Sequence, residues 1–340
     1  MTDAQLSDRK AAILRAVVEG YTSTARPVGS GAIVDAEGLE VSSATVRKEL
    51  LALEQAGFLE QPHTSAGRVP TDKGYRYFVD ELMRPFEFGQ ATNERISHFF
   101  ERAHGEIETM LRDTSRLLSQ LTHYTSVVVG PGAELATVRS VQLVGLHHDV
   151  ALVVVVMSNG AIEKYTVDLP GAGDGAARDA VDRAGAVLAG AMIGRPLADA
   201  AEPAPTGDVA IDDIVSSCVD AIAEGAAAPH EQFYVGGTPT VASLFAATEQ
   251  VREVLSILEK QYVMVTLVRD VIDRGLTVAI GSETGVEPLA ECSVVVAPYL
   301  VEGSPAGQIA VLGPTHMNYP QAVAAVAVVS AQLGSRLSEG

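Results

Sequence analysis

The chain has 340 residues, a length at which two or three domains are expected. Of these residues 47% are apolar and 20% charged, which is typical of a folded protein. Its N-terminus is too polar for a secretory signal, and its apolar runs are shorter than the roughly 20 residues that span a bilayer, so we expect a cytoplasmic protein without a membrane partner. The two cysteines, Cys218 and Cys292, offer neither a disulfide framework nor a cysteine-based metal site.

The net charge of −19 argues at first against a nucleic-acid partner, because acidic protein repels phosphate. The charge is unevenly distributed, however. Residues 1–86 contain ten basic and twelve acidic residues, a net charge of −2, which leaves −17 for residues 87–340. Five of the cations fall within one 30-residue stretch: Arg47, Lys48, Arg68, Lys73 and Arg76. This nearly neutral first segment is compatible with DNA binding but is not evidence for it.

The first segment is predicted to contain four helices and one hairpin. Apolar residues at helical spacing and suitable capping residues predict the helices: from Ile13 to a stop at Gly20, from the N-cap Ser30 to Asp35, from the N-cap Ser42 or Ser43 to Ala56, and from the N-cap Thr71 to Pro85. The hairpin lies between the last two helices, as a strand at 58–61, a tight loop at 63–68 and a return at 69–70.

Beyond residue 87 the pattern predicts one linker helix over 92–121 and then a mixture of strands and helices. The predicted strands lie at 127–129, 138–147, 151–157, 161–169, 277–281, 292–299 and 308–312. The predicted helices lie at 175–192, 211–222, 251–258 and 319–337. Asn159-Gly160 is typical of a hairpin turn, residues 195–208 have the composition of a linker, and residues 263–269 fit either a helix or a strand.

The third predicted helix carries the first candidate site. Val46, Leu50 and Leu53 share one face of this helix and would pack inward. The opposite face begins with small and hydroxyl residues, which let a backbone approach DNA and bind phosphate, and continues with two cations that reach base edges or phosphates. These candidate contacts are Ser42, Ser43, Ala44, Thr45, Arg47 and Lys48. The alternative is an ordinary amphipathic helix with a solvated face.

The predicted hairpin after that helix carries the second candidate site. Its tip is polar and basic, and it follows a recognition helix at the position where a winged helix has its wing, which contacts flanking phosphates or the minor groove. The candidate contacts are His63, Thr64, Ser65, Gly67 and Arg68. Taken singly, His63 is more typical of a structural histidine and Arg68 of a solvated surface charge.

Several blocks of sequence form one pattern along the chain. The N-terminal blocks are Pro27-Val28-Gly29-Ser30, Val41-Ser42-Ser43-Ala44-Thr45-Val46-Arg47, Leu53-Glu54, and the run from Gln61 to Thr71 followed by Gly74-Tyr75-Arg76. The later blocks are Ile280-Gly281-Ser282-Glu283, Gly307-Gln308-Ile309, and Leu312-Gly313-Pro314-Thr315 with Met317 and Tyr319. Together they resemble the heat-inducible transcription repressor family known as HrcA, over nearly the whole chain and most weakly from about 195 to 250.

The resemblance implies an α+β fold. Its expected parts are a winged helix-turn-helix at 1–86, a linker helix at 87–123, a GAF-like domain in two parts at 124–194 and 251–340, and an inserted dimerisation segment at 195–250. It also implies a homodimer that represses chaperone operons by binding an inverted-repeat operator in double-stranded DNA. Heat inactivates such repressors and the chaperonin helps to reactivate them. No cofactor, metal or enzymatic activity is expected.

The chain departs from the family pattern at several positions. Lys48 stands where asparagine is usual and Leu51 where a small residue is common, so base readout or phosphate contact could differ here. We expect the later departures to lie far from the DNA-binding segment and to cast no doubt on its assignment: Thr284 for asparagine, His316 for arginine and Asn318 for aspartate.

Four other hypotheses compete with the repressor. GAF-like domains often bind small ligands, so a ligand-sensing regulator is the alternative hypothesis. Glu283, His316 and Tyr319 could line a pocket, although structural packing is favoured.

A hydrolase using Cys292 or Cys218 with His316 lacks support, because Cys292 lies in an apolar strand. The run His147-His148-Asp149 cannot easily share one metal ion, since adjacent strand residues point to opposite faces, and Gly171 to Gly175 lacks the context of a phosphate loop.

Overall fold

The computed structural model describes residues 6–34, 42–63, 67–102, 107–131, 137–147, 150–158, 162–169, 176–197, 203–226, 233–237 and 248–339. The helices in these ranges are α1 (Asp8–Thr24), α2 (Ser30–Val34), α3 (Ser43–Gln55), α4 (Asp72–Tyr77), α5 (Gln90–Arg102), α6 (Ile107–Thr122), α7 (Ala176–Met192), α8 (Val209–Ala226), α9 (Thr248–Glu259), α10 (Gln261–Asp273) and α11 (Tyr319–Ser338). The strands are β1 (Leu59–Glu60), β2 (Val69–Pro70), β3 (Thr125–Val129), β4 (Val138–His147), β5 (Val150–Met157), β6 (Ile162–Asp168), β7 (Phe233–Gly236), β8 (Val278–Ile280), β9 (Cys292–Val301) and β10 (Ser304–Pro314). This mixture confirms the predicted α+β class.

The N-terminal head consists of α1 to α4 and the hairpin of β1 and β2. Helices α1, α2 and α3 share one apolar core, to which α1 contributes Leu14 and Val17, α2 contributes Ile33, and α3 contributes Val46 and Leu53. All five side chains are at most 1% exposed. The hairpin follows α3, and α4 continues as a wider, π-helical turn from Phe78 to Leu82. The elements thus follow the order that the sequence predicts.

The first helix runs past its predicted end. Gly20 does not end α1, which continues to Thr24 and stops at Ala25 in the left-handed conformation. Gly20 instead allows close packing, because a Cβ at this position would approach Val28 Cγ2 to 3.2 Å. The glycine is therefore a packing residue that the sequence pattern mistakes for a helix stop.

The linker helix predicted over 92–121 corresponds to α5 and α6, and residues 103–106 between them lie outside the described residues. Ile96 and Phe100 on α5 are buried in the same core as the head, as are Leu111 and Leu118 on α6. The linker therefore forms part of the packed structure.

The central domain is built on an antiparallel five-stranded sheet with the order β7-β3-β10-β9-β8. Helices α6 and α11 cover one face of the sheet and α9 and α10 cover the other. The undecided stretch 263–269 belongs to helix α10, which buries Met264, Leu267, Val268 and Val271 at helical spacing. Strand β7 was not predicted; four residues are too few for a clear alternation, and pairing with β3 gives them their structure.

A second module is formed by the antiparallel sheet β4-β5-β6 with α7 and α8. Strand β5 is apolar on both sides. Its residues Ala151, Val153, Val155 and Met157 are buried under the helices, and the intervening valines and Leu152 are half-buried on the other face.

The structure groups the residues of this module differently from the expected domain boundaries. The predicted division at residue 195 separates α7 from α8, yet both helices pack on the same sheet. Strand β7, from the expected inserted segment at 195–250, joins the central sheet instead. The physical reason is that α7 and α8 both complete the core beside β5, which neither helix could bury alone.

The head contacts the central domain through α4. Arg76 forms an ion pair with Glu283, and Asp72 accepts hydrogen bonds from the Ser282 backbone N–H at 3.2 Å and from its hydroxyl at 3.3 Å. Two aromatic contacts adjoin this point: Tyr75 with Tyr319, and Tyr21 with His316, each with ring centroids 5.8 Å apart. Three of the sequence blocks that resemble one family therefore meet at this interface: Gly74-Tyr75-Arg76, Ile280-Gly281-Ser282-Glu283 and the block that ends at Tyr319.

We expect Tyr319→Phe to lower the free energy of unfolding by about 1–3 kcal/mol, because it leaves buried polar groups without a partner. The Tyr319 hydroxyl lies 2.8 Å from Ser293 Oγ and donates to the Thr315 carbonyl at 2.5 Å. Tyr262→Phe makes the same chemical change at a side chain that is 72% exposed, and its effect should stay within about 0.5 kcal/mol. Urea unfolding of both variants measures the difference, and equal losses would contradict the assignment.

Candidate nucleic-acid interface

The recognition-helix candidate α3 is capped as the sequence predicts. Ser42 is its N-cap, and its Oγ accepts a hydrogen bond from the Thr45 backbone N–H at 3.2 Å. The same Oγ lies 3.0 Å from Thr45 Oγ1. The hydroxyls of Ser42 and Thr45 thus lie together at the helix N-terminus, where the dipole and unpaired N–H groups favour an anion.

The outward face of α3 brings the predicted contacts together. Ser42, Ala44, Arg47 and Lys48 are exposed, and Ser43 and Thr45 are half-buried. Because Val46, Leu50 and Leu53 are buried against the rest of the head, the helix cannot rotate without exposing them. The structure therefore presents two cations and several hydroxyls on one fixed surface.

Ser30 is a residue of this surface that the sequence-based site omits. Its Oγ accepts a hydrogen bond from Arg47 Nε at 3.4 Å and lies 3.5 Å from Ser43 Oγ. These long contacts connect the start of α2 with the first turns of α3 and orient the guanidinium of Arg47. The block Pro27-Val28-Gly29-Ser30 was the signal that could have identified it.

The base of the hairpin is fixed to the turn between α1 and α2. Val28 and Arg68 exchange two backbone hydrogen bonds, each 2.9 Å long. Gly67 lies directly against this turn, since a Cβ there would collide with the Val28 carbonyl group and come within 2.8 Å of the Gly29 nitrogen. Gly67 is therefore needed for close backbone packing.

The loop of the hairpin is only partly described. His63 is exposed where the chain leaves β1. Thr64 and Ser65, which the sequence predicts as DNA contacts, lie outside the described residues.

Arg68, which the sequence predicts as a phosphate contact, has a partner within the protein. Its guanidinium binds the carboxylate of Glu54 on α3, with Nη2 at 2.8 Å and Nε at 3.0 Å from Oε2. The Arg68 side chain is only 17% exposed. The pairing has a simple cause: the end of α3 places an acid beside β2, and a partly buried guanidinium needs such a partner. The block Leu53-Glu54 carried this signal in the sequence.

Lys73 is also used within the protein. Its ammonium group donates to the Ala56 carbonyl at 3.2 Å and lies 4.5 Å from the centre of the Phe58 ring. The Thr71 hydroxyl donates to the Gly57 carbonyl at 2.6 Å, so both residues satisfy carbonyls just beyond α3. Of the five clustered cations, Arg68, Lys73 and Arg76 therefore have internal partners, and Arg47 and Lys48 face outward.

The residues considered for an enzyme or a ligand pocket have structural surroundings. Burial raises the pKa of Cys218 to about 12, and burial together with the charge of Glu291 raises the pKa of Cys292 to about 12, so neither thiol is ionised at neutral pH. Glu283 is paired with Arg76, and Tyr319 is fully buried. Burial lowers the pKa of His316, whose ring packs on Tyr21.

The metal, membrane and phosphate-loop hypotheses gain nothing from the structure. Within the described ranges no group of three or more His, Cys, Asp or Glu side chains could hold a metal ion. The side chain of His147, residues 148–149 and residues 171–175 lie outside the description. The described helices include none that is long and apolar enough to cross a membrane.

A cavity of about 510 Å³ lies between α10 and the turn after β8. Tyr262, Leu267 and Asp270 line one side and Thr284 and Val286 the other. Glu283, His316 and Tyr319, for which the sequence favours structural packing over a pocket, do not line this cavity.

Comparison with known proteins agrees with these features. Residues 108–323 match the HrcA protein C terminal domain. The chain is 36% identical to the heat-inducible transcription repressor HrcA of Pelotomaculum thermopropionicum and 38% identical to that of Nocardia farcinica, in both cases over 98% of this chain and 97% of the relative.

A solved structure described as a hypothetical protein shares the fold. The two chains superpose with a TM-score of 0.65 at 21% identity, covering 98% of this chain and 99% of the other. The name shared by the relatives describes a regulator of transcription, which is not an enzymatic role. The chain belongs to the HrcA family of heat-inducible transcription repressors.

Proposed function

We propose that the protein is a cytoplasmic homodimer that represses chaperone operons by binding an inverted-repeat operator in double-stranded DNA. The observation that carries this proposal is the exposed pair Arg47 and Lys48 on α3, held beside the capped helix N-terminus. A helix inserted in the major groove reads bases with such side chains and binds phosphate with such N–H and hydroxyl groups. The head then acts as a winged helix with α3 as recognition helix.

The proposed contacts fall into two groups. On α3 they are Ser42, Ser43, Ala44, Thr45, Arg47 and Lys48, with Ser30 as a support. In the hairpin loop they are His63, Thr64 and Ser65. Gly67 and Arg68, also expected as contacts from the sequence, have partners within the protein, in the α1–α2 turn and in Glu54.

Electrostatics supports a dimer as the binding species. The head has a net charge of −2 and only two of its clustered cations face outward, so one head has little long-range attraction for DNA. Two heads joined in one molecule bind two half-sites with a much higher effective concentration for the second contact. Two-fold symmetry of the dimer then matches an inverted repeat.

The three-stranded sheet offers a surface for dimerisation. Its face away from α7 and α8 carries the half-buried Leu152 and Val154, and it is flanked by Val144 and Ile162, which are 43% and 47% exposed. Val144 pairs with Leu152 across the sheet, so these side chains form a continuous apolar strip. We propose that a second copy of the chain covers this strip, which places the dimerisation surface on β4–β6.

Release by heat requires a folded dimer of small stability, because a few kcal/mol then change the active population strongly. A chaperonin would act by returning unfolded chains to the dimer. Operator binding after brief heating, with and without chaperonin, tests both proposals. The alternative function, a ligand-sensing regulator, is supported by the cavity beside α10.

We expect Arg47→Ala and Lys48→Ala each to weaken operator binding by about 1–3 kcal/mol, the contribution of a side chain that reads a base or binds phosphate at the interface. Arg9→Ala is the matched control. Arg9 is an exposed cation of the head near the start of α1 and is not part of α3. This end of the head contacts α4, since the Leu6 backbone N–H donates to the Tyr77 hydroxyl at 3.1 Å. Fluorescence anisotropy at fixed salt measures the affinities. Parental affinity in both test variants would refute the recognition-helix proposal.

We expect Arg68→Ala to leave the salt dependence of DNA binding unchanged and to lower the free energy of unfolding by about 1 kcal/mol, the size of a partly buried ion pair. Glu54→Ala should have a similar effect, and the double variant should cost less than the sum of the two. A phosphate contact predicts instead a flatter salt dependence in Arg68→Ala alone. Titrations at several salt concentrations therefore distinguish the structural role from the DNA contact.

We expect Leu152→Asp to convert the dimer to a monomer, because a second copy would bury the new carboxylate on an apolar strip. Val209→Asp is the control, since Val209 is 73% exposed at the start of α8 and away from this sheet face. Sedimentation velocity measures the assembly of both variants. A dimeric Leu152→Asp variant would place the dimer interface elsewhere.

A further inference from the structure

The contact between α4 and the residues around the end of β8, here called the docking contact, consists of Asp72 and Arg76 in the head and Val278 to Glu283 in the central domain. Arg76 donates from Nε to Glu283 Oε1 at 3.0 Å, from Nη2 to Oε2 of the same carboxylate, and from Nη2 to the Val278 carbonyl at 2.7 Å. Asp72 accepts from the Ser282 backbone N–H and hydroxyl. Each side therefore supplies an acid to the donors of the other, and the head also supplies a cation.

The central-domain half of the docking contact is held rigidly. Glu283 Oε2 also accepts from the Ile280 backbone N–H at 2.9 Å, which fixes the carboxylate against its own turn. Arg274, the residue that follows α10, donates to the Glu283 carbonyl at 2.9 Å. The side chains of Arg76 and Glu283 are 23% and 31% exposed, so water competes only partly for this ion pair.

Gly281 leaves room for the Asp72 carboxylate. Its φ of +54° is in the left-handed region, and a Cβ at this position would lie 2.6 Å from the Asp72 carboxyl carbon. A side chain here would therefore displace the Asp72 carboxylate from its contact with Ser282.

The charge of Arg76 is maintained in the docking contact. Burial lowers the pKa of Arg76, but the hydrogen bond to Glu283 and the charges of Glu283 and Asp80 outweigh burial and leave this pKa raised. Asp80 contributes from within the head, at 3.2 Å from Nη1 and with a side chain that is 51% exposed. It does not reach the central domain and so provides a natural control.

The aromatic pairs give the head a second region of attachment. Tyr75 and Tyr319 are both buried, and Tyr21 on α1 packs on His316. A head attached at the docking contact and at the aromatic pairs cannot rotate about either one alone. The direction of α3, which shares a core with α1, is therefore set by the central domain.

We propose that Asp72 and Arg76 are positioning residues for operator recognition: the docking contact fixes the direction of α3, so that the two heads of a dimer present their recognition helices at one separation and one angle. This proposal rests on the proposed function as a dimeric repressor. It makes the length of the DNA between the half-sites a determinant of affinity, because heads held rigidly cannot follow a half-site that has moved around the double helix.

Operators of altered spacing test this proposal. Inserting two base pairs between the half-sites turns one half-site by about 70° relative to the other, since B-DNA repeats about every 10.5 base pairs. The spacing ratio is the affinity of the full-length protein for the natural operator divided by its affinity for the lengthened one. We expect a large ratio for the parent and a ratio at least about tenfold smaller for Glu283→Gln, the range of ordinary coupling between sites.

The controls separate positioning from folding. Asp80→Asn removes the other acid beside Arg76 and should keep the parental spacing ratio. Glu283→Gln should bind a DNA duplex with a single half-site as the parent does and should sediment as the parent does. If Glu283→Gln fails to fold, Arg76→Lys, which keeps the charge but loses the two-point contact, is measured in its place.

Two results would overturn the proposal. One is a parental spacing ratio in a folded variant that lacks the docking contact. The other is tighter binding of the natural operator by that variant, since the docked arrangement would then oppose DNA binding.

A parent that binds no inverted repeat would contradict the proposed function instead. Limited proteolysis with chymotrypsin then tests separately whether the docking contact holds the head. The rate of cleavage is measured at Phe86, which is 40% exposed in the segment between the head and α5. A fixed head predicts faster cleavage in Glu283→Gln than in Asp80→Asn, and equal cleavage would contradict it.

Discussion

The ion pair between Arg76 and Glu283 joins parts of the chain that are 207 positions apart. It forms because α4 follows the hairpin directly and the turn after β8 presents a carboxylate that is already held by its own backbone. Removing either partner would leave a partly buried charge with weaker compensation, from Asp80 in the case of Arg76 and from the Ile280 N–H in the case of Glu283. The position of the head, and with it the direction of α3, depends on this interaction.

The distribution of basic residues shows how an acidic protein can bind DNA. Arg68, Lys73 and Arg76 hold the hairpin, the end of α3 and the docked head in place. Only Arg47 and Lys48 of this group face outward. The head thus uses most of its clustered cations to build a rigid shape, and the binding strength must come from the placement of a few groups and from pairing two heads. Strong non-specific attraction to DNA is not expected for such a surface.

Much of the fold could be predicted from the sequence because the signals are local. The cap at Ser42, the stop at Gly57 and the strand pairing on either side of residues 159–161 follow from nearest neighbours and periodicity. Other features could not be predicted because distant residues create them. Strand β7 exists through its pairing with β3, and helix α10 became distinct from a strand only through its burial against the central sheet.

The candidate site also has features that local sequence predicts and features that distant residues create. Exposure of Arg47 and Lys48 follows from the apolar face of α3, which periodicity reveals. The partner of Arg68 is set by the end of α3 lying beside β2, and the close fit of Gly67 by the turn at Val28, so the sequence alone could not show these internal contacts. Glu283 was considered as a pocket residue because its partner lies in another domain.

The sheet order has a consequence for the synthesis of the protein. Strand β3 is made early but pairs with β10, which ends at Pro314, and the turn that receives α4 is made only after β7, α9 and α10. Pairing between such distant segments is slow and leaves apolar strands exposed meanwhile. On the ribosome, the head can form its own core long before its docking site exists. A nascent repressor therefore carries a folded but undirected head, and the ability to regulate arises only when almost the whole chain has been translated.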